Sequence, residues 1–315
     1  MRLRFKTSMV ALLLTVAFIL SSNQMLFAQT KYYRLLVVVT PAAYNAIGSA
    51  GLRARINDRI ISNTNLCYSS SPVNIRVELA GIYRTNFVER AGGISPDLDS
   101  LRTRGNSGVD QISKLRDLYG ADLVTLIEAN TDFNVATKSG VAGLGYTQSA
   151  IIQYGFTCLN YMGITLAPCC AHELGHNFGC MHDTVTMKSQ NDLDFTWPTT
   201  YCHGAITSSW GTVMSYTSTY LNSFSNPDSS YKSVKRGSTV RCNATRMLNE
   251  NIDIVNNFST PASKVSIPAT TWKANEYGDI LSLDSITIGA KDSLKDSSEV
   301  YLELLIELAS IQDFL

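Results

Sequence analysis

The stretch HELGHNFGCMHD, residues 172–183, holds three of the four histidines in a chain of 315 residues. Residues four apart on a helix share a face, so His172 and His176 would aim two imidazoles at one point, with Glu173 beside it. Two imidazoles and a carboxylate at HExxH spacing are a donor set for zinc, with a base that can take a proton from a metal-bound water. The plainer alternative is a pair of surface histidines; chance gives HExxH on the order of 10⁻³ times in such a chain. The residues that follow weaken that alternative. A third imidazole must approach from outside the helix, so the chain has to turn soon after His176. Gly179 stands where a positive φ would be wanted, and His182 follows three residues later. Three neutral imidazoles would leave zinc an open position, as catalytic sites require.

Such a helix needs a scaffold. Residues 33–40 (YRLLVVVT) read as a buried strand, 50–70 as a helix, and 73–79 as an alternating strand. A helix is predicted over 108–119, stopped by Gly120, and another strand over 121–129. The order β, α, β, α, β implies a largely parallel sheet with helices packed on it. Residues 140–146, glycine-rich, and 150–156 read as one or two irregular strands on a sheet edge. Pro168 opens the motif helix, which ends near Gly179. Residues 183–259 are turn-rich, with a helix at 245–258. Residues 261–275 read as a linker and 276–315 as a short C-terminal segment.

The motif resembles the long zinc-binding motif of the metzincin metallopeptidases, which also carry a methionine in a tight turn beneath the metal. GTVMSY, residues 211–216, supplies Met214 for that turn. The resemblance spans roughly residues 33–258. It implies an α/β (α+β) fold: a mixed, mostly parallel twisted sheet with helices in an upper subdomain, and an irregular lower subdomain. It also implies that His172, His176 and His182 hold Zn2+ and that Glu173 is the general base. Asn177 and Asp183 look like adamalysin/reprolysin-type enzymes, whereas Tyr216 after Met214 looks like astacins and serralysins. FSNPD, residues 224–228, resembles bacterial reprolysin-like peptidases, including the peptidyl-Asp type. Tyr216 is either metal-adjacent, as a transition-state donor, or a packing residue. Asp183 is either an anchor beside the site or a surface carboxylate. Met214 could be core filler, and His203 reads first as a loop or packing residue.

The function implied is a secreted zinc endopeptidase acting on a peptide or protein laid out as an extended strand along a sheet edge, with residues 143–146 either that edge or a simple glycine loop. A binding or adhesion protein on the same scaffold is one alternative and a narrow exopeptidase another; Glu173 argues against the first. Net charge is zero, which gives no nucleic-acid footprint. A basic start, an apolar run at 9–20 and small Ala28 read as a signal peptide over 1–28, with secretion after cleavage near Ala28. No membrane association is expected after its removal, no long prodomain before the first strand, and a monomer is expected. The catalytic domain is then 29–260. Export makes disulfides the default for the seven cysteines, one at least left unpaired. Cys180 with Cys202 is a first pairing; Cys158 with Cys242 follows by loose analogy with adamalysin bridges. Cys67 reads as a buried free thiol, and adjacent Cys169 and Cys170 as facing different surroundings.

Overall fold

A computed structural model describes residues 30–259 except 92, 104–111, 114, 118, 131–132, 135–138, 141–142, 147–149 and 167, together with 272–274 and 280–283. The expected signal peptide therefore lies outside the described residues, as does most of the C-terminal segment.

The chain opens with β1 (Lys31–Val39), α1 (Pro41–Ile47), α2 (Ser49–Arg55), a π-helical stretch at Ile56–Ser62, and α3 (Asn63–Ser69). β2 (Ile75–Arg84), α4 (Ile94–Arg102) and β3 (Leu123–Glu128) follow. Of the helix predicted at 108–119, the described residues 112–113 and 115–117 are helical. A two-residue pair, β4 (Phe133–Asn134) and β5 (Ser139–Gly140), precedes β6 (Gly143–Gly145) and β7 (Phe156–Asn160). The main sheet runs β2-β1-β3-β7-β6. The first four strands are mutually parallel, and only β6, at the edge, runs antiparallel to its neighbour. One expectation fails in detail. Residues 150–155 form no strand; Ile152–Tyr154 is a 3₁₀ turn and the strand starts at Phe156. Ile151 and Ile152 are exposed, so their apolar character marks no buried face.

β1 reads as a continuous apolar run because it is covered on both faces. Tyr33, Leu35, Val37 and Val39 enter one core, while Leu36 and Val38 enter the other. β3 divides likewise, with Leu123 and Ile127 against Val124 and Leu126. The first core receives α5 (Cys169–Asn177) through Leu174, with Phe178 just beyond its end, and α7 (Ala244–Val255) through Leu248 and Ile252. α6 (Thr184–Ser189) lies between them in sequence. An aromatic column ties these parts together. Phe178 meets Tyr33 edge-on at 5.4 Å, Tyr33 and Tyr68 share a hydroxyl hydrogen bond of 2.9 Å, and Tyr68 stacks on Phe224 at 5.8 Å.

Beyond Phe178 the chain has little regular structure, as expected. β8 (Asn226–Tyr231) and β9 (Val234–Arg236) form a hairpin. The rest is held by isolated bridges such as Met181↔His203, Cys202↔Cys242 and Ile206↔Gly211. α7 returns to the sheet: Asn243 caps it and Asn251 donates to the Phe178 carbonyl at 2.7 Å. β10 (Trp272–Ala274) pairs with β11 (Ile280–Leu283). No helix among the described residues is long and apolar enough to cross a membrane.

Candidate active site

α5 carries the motif. Leu166 and Pro168 carbonyls accept the amides of Cys169 and His172, seating its first turn. Its C-terminus closes at Gly179, whose φ of 91° suits glycine, with Gly179 N–H donating to the His176 carbonyl at 2.8 Å. That turn brings His182 back over the helix. The Nε2 atoms of His172 and His182 lie 3.0 Å apart, and those of His176 and His182 3.1 Å.

The other face of each ring explains this convergence. His172 Nδ1 donates to the Val213 carbonyl at 2.7 Å, and His176 Nδ1 to the Cys180 carbonyl at 2.8 Å. His182 Nδ1 donates to Gln190 Oε1 at 3.0 Å. A carbonyl oxygen only accepts, so each Nδ1 carries the proton and each Nε2 presents a lone pair. Burial also holds His172 neutral, pushing its pKa down to about 3, and lowers His176 and His182. Three lone pairs facing one another repel unless a cation lies between them. Tetrahedral zinc with nitrogen ligands at 2.0–2.1 Å would place those nitrogens about 3.3 Å apart, close to what is seen. The donor set fits zinc.

Glu173 is buried beside this point, and burial raises its pKa to about 8 against a hydrogen bond from the Gly145 amide, which lowers it. β6 lies directly on the helix here. A Cβ on Gly143 would meet Glu173 Cγ at 2.8 Å, and one on Gly145 would meet the Glu173 carbonyl oxygen at 2.5 Å. Both glycines are therefore required by the close approach. Asn177 fastens the region behind, its amide facing the carbonyls of Tyr146, Tyr154 and Phe156 at 3.2 Å.

Met214 is fully buried beneath the helix. Its sulfur lies where a Cβ on Gly175 would come within 2.7 Å, so that glycine admits the methionine. The same turn supplies Val213 O to His172 and Met214 O to the Asp183 amide, the latter at 3.1 Å. Asp183 is buried and caps α6, accepting from the Val185 and Thr186 amides at 2.9 Å and the Thr186 hydroxyl at 2.7 Å. It anchors the segment between His182 and Gln190. Tyr216 stands over the histidines, its ring centroid 4.6 Å from that of His182 and 5.6 Å from that of His172. The residue is half exposed, and its partial desolvation pushes the hydroxyl pKa upward.

His203 is fully buried and braces the backbone, with Nδ1 3.0 Å from the His182 carbonyl and Nε2 3.1 Å from the Phe195 carbonyl. Neither expected cystine is present in this structure, where all seven cysteines stand unbridged. Cys158 sits in β7 within the second core, whereas Cys242 faces Cys202. Cys180 points its thiol at the Ala244 carbonyl, 3.7 Å away, and only its backbone oxygen serves the site. Gln190, Gly145 and the two carbonyls had no signal in the sequence beyond the glycine spacing at 143–145.

Two histidines on a helix joined by a third from beyond its end, a methionine turn beneath them and a mostly parallel sheet with one reversed edge define a metallopeptidase of the metzincin class. The profile of metallo-peptidase family M12 (Reprolysin_5) matches residues 29–225, and the chain belongs to that family. It is 30% identical over 224 residues to the peptidyl-Asp metalloendopeptidase of Stenotrophomonas maltophilia strain K279a, covering 68% of this chain and 50% of that protein. The protein of that name from Xanthomonas campestris pv. campestris is 30% identical over 220 residues, covering 68% and 49%. The chain thus spans about half the length of the curated relatives it matches. A solved structure titled "Structure of a chaperone-substrate complex" shares the fold, with TM-score 0.57 and 17% identity over 73% of this chain and 35% of that one.

Proposed function

We propose that this chain is an exported zinc endopeptidase whose general base is Glu173. The observation that carries this reading is the convergence of three Nε2 lone pairs with a buried carboxylate one helical position from the first. His172, His176 and His182 would hold the metal. The chemistry a bound zinc supplies there is Lewis acidity toward water and the scissile carbonyl. Glu173 takes the proton of the attacking water and returns it to the leaving amine. Its raised pKa favours holding that proton, while a nearby dication would pull the value down toward neutrality. The Gly145 amide fixes the carboxylate's direction. Tyr216 stands on the solvent side of the ligands, where its hydroxyl can donate to the developing oxyanion. Met214 supports the ligands from below, and Asp183 and Gln190 position His182.

The substrate would add as a strand to the free side of β6, gaining main-chain hydrogen bonds with little demand on sequence. From the relatives' name we infer a bond beside an aspartyl residue as the preferred cleavage site. We also infer export, with residues 1–28 as the signal peptide. The test is a peptide-library digest of the wild-type protein and Glu173→Ala, with and without chelator. Internal cuts beside Asp that vanish in the variant and on chelation are expected. A folded, zinc-loaded Glu173→Ala protein that still cleaves would overturn the assignment, and release of terminal residues alone would point to an exopeptidase.

A further inference from the structure

The irregular half contains a short three-stranded arrangement centred on residues 201–203. On one flank the Met181 amide donates to the Cys202 carbonyl at 3.0 Å, and Gly204 N–H returns to the Met181 carbonyl at 3.0 Å. On the other flank Asn243 N–H donates to the Tyr201 carbonyl at 2.8 Å and His203 N–H to the Arg241 carbonyl at 3.1 Å. Those last two bonds bracket Cys202 and Cys242, making them a directly opposed, non-hydrogen-bonded antiparallel pair. In such a pair the two Cα atoms stand about 4.5 Å apart with side chains on one face. A disulfide needs Cα atoms roughly 4.4–6.8 Å apart. The backbone therefore already has the spacing. The Cys202 thiol now faces the Thr199 carbonyl at 3.1 Å, so closure needs a side-chain rotation.

We propose that Cys202 and Cys242 form a cross-strand disulfide that closes the 202–242 loop, which contains Met214 and Tyr216. Cys180, on the other flank of Cys202, is the competing partner. It is fully buried and directed at Ala244, whereas Cys242 is partly exposed and open to an oxidant. The oxidant is a small-molecule disulfide such as oxidised glutathione. Cys242 loses its proton to solvent and attacks one sulfur, expelling one thiol. Cys202 then loses its proton and attacks the Cys242 sulfur, expelling the second thiol. Two protein thiols become one S–S bond, and the reagent takes up the two electrons.

The full chain equilibrated with oxidised and reduced glutathione, acid-quenched, alkylated and digested with trypsin separates the candidates. Cys202 falls in peptide 189–232, Cys242 in 242–246, Cys180 in 139–188 and Cys67 in 60–76. Peptide 189–232 linked to 242–246, and released by dithiothreitol, is expected. Cys202 linked to 139–188, or alkylated at every glutathione ratio, would overturn the proposal. Thermal melts give a second readout. Reduction should lower the wild-type midpoint by on the order of 5–10 °C and leave Cys242→Ser unmoved; an equal drop in that variant would also overturn it.

Discussion

The two halves of the molecule are held in different ways. In the upper half, β1, β3 and β7 pair in continuous register and bury apolar side chains on both faces. In the lower half, residues 178–243, apart from the β8–β9 hairpin, are joined by single bridges, caps and ring-to-carbonyl hydrogen bonds. The first arrangement is redundant, since losing one contact leaves many. In the second, each bond has its own task, and several of them aim one of the three converging histidines. The site lies on the seam, with His172 and His176 on a helix rooted in the sheet and His182 delivered by the irregular half.

Changing the chemistry without touching either half gives the largest effect. Glu173→Ala should lower kcat/KM by at least about 10³-fold with unchanged zinc content and an unchanged or higher melting point, checked by peptide kinetics and metal analysis. A large loss of stability would mean that Glu173 belongs to the scaffold.

Next comes the seam itself. Gly145→Ala forces a Cβ to within 2.5 Å of the Glu173 backbone oxygen. Activity should fall about 10–100-fold, with roughly 1–3 kcal/mol lost in denaturant melts. Full activity would show that β6 can move off the helix.

Zinc removal should separate the halves directly. Amide exchange at 181–183 and 203–216 is expected to rise about tenfold or more, while 33–39 and 123–127 keep their protection. Uniform loosening would erase the distinction between the halves.

In the metal-free protein the pH dependence has a definite sign. Glu173 holds its proton up to about 8 when folded, against 4.5 ordinarily. Between those values the folded state binds a proton the unfolded state has released, so stability falls as pH rises. Glu173→Gln lacks that fall. Its advantage in urea melts should be small near pH 4.5 and grow to on the order of 1–3 kcal/mol by pH 8. The smallest expected effect is at Gln190, which is exposed, so water can replace part of its hydrogen bond to His182. Gln190→Ala should weaken zinc binding about 5–10-fold in a chelator competition, at the low end for residues that orient a ligand.

This contrast also governs what the sequence disclosed. The strands of the upper half were legible because burial on a pleated surface writes itself as apolar runs and alternation, as at 33–39 and 73–79. The three histidines, Glu173 and Gly179 were legible because helical spacing and a positive φ constrain residue type. The lower half leaves no such trace. Gln190 meets His182 through a helix cap set by Asp183, and Val213 and Cys180 contribute backbone oxygens that any residue could supply. The opposition of Cys202 to Cys242 follows from a forty-residue excursion whose return point no periodicity marks. The strand misplaced at 150–156 has a related cause, since Ile151 and Ile152 are apolar without being buried.

The contact between Gly145 and Glu173 has a kinetic consequence. The amide bonded to the Glu173 carboxylate belongs to the strand on which a substrate would be laid. A peptide that seats fully against that strand would hold the amide, and with it the carboxylate, in the productive direction. One that seats in a shifted register would drag the amide aside and bind without being cut. Discrimination among peptides would then fall on turnover rather than on occupancy: poor substrates would behave as competitive inhibitors with ordinary affinity.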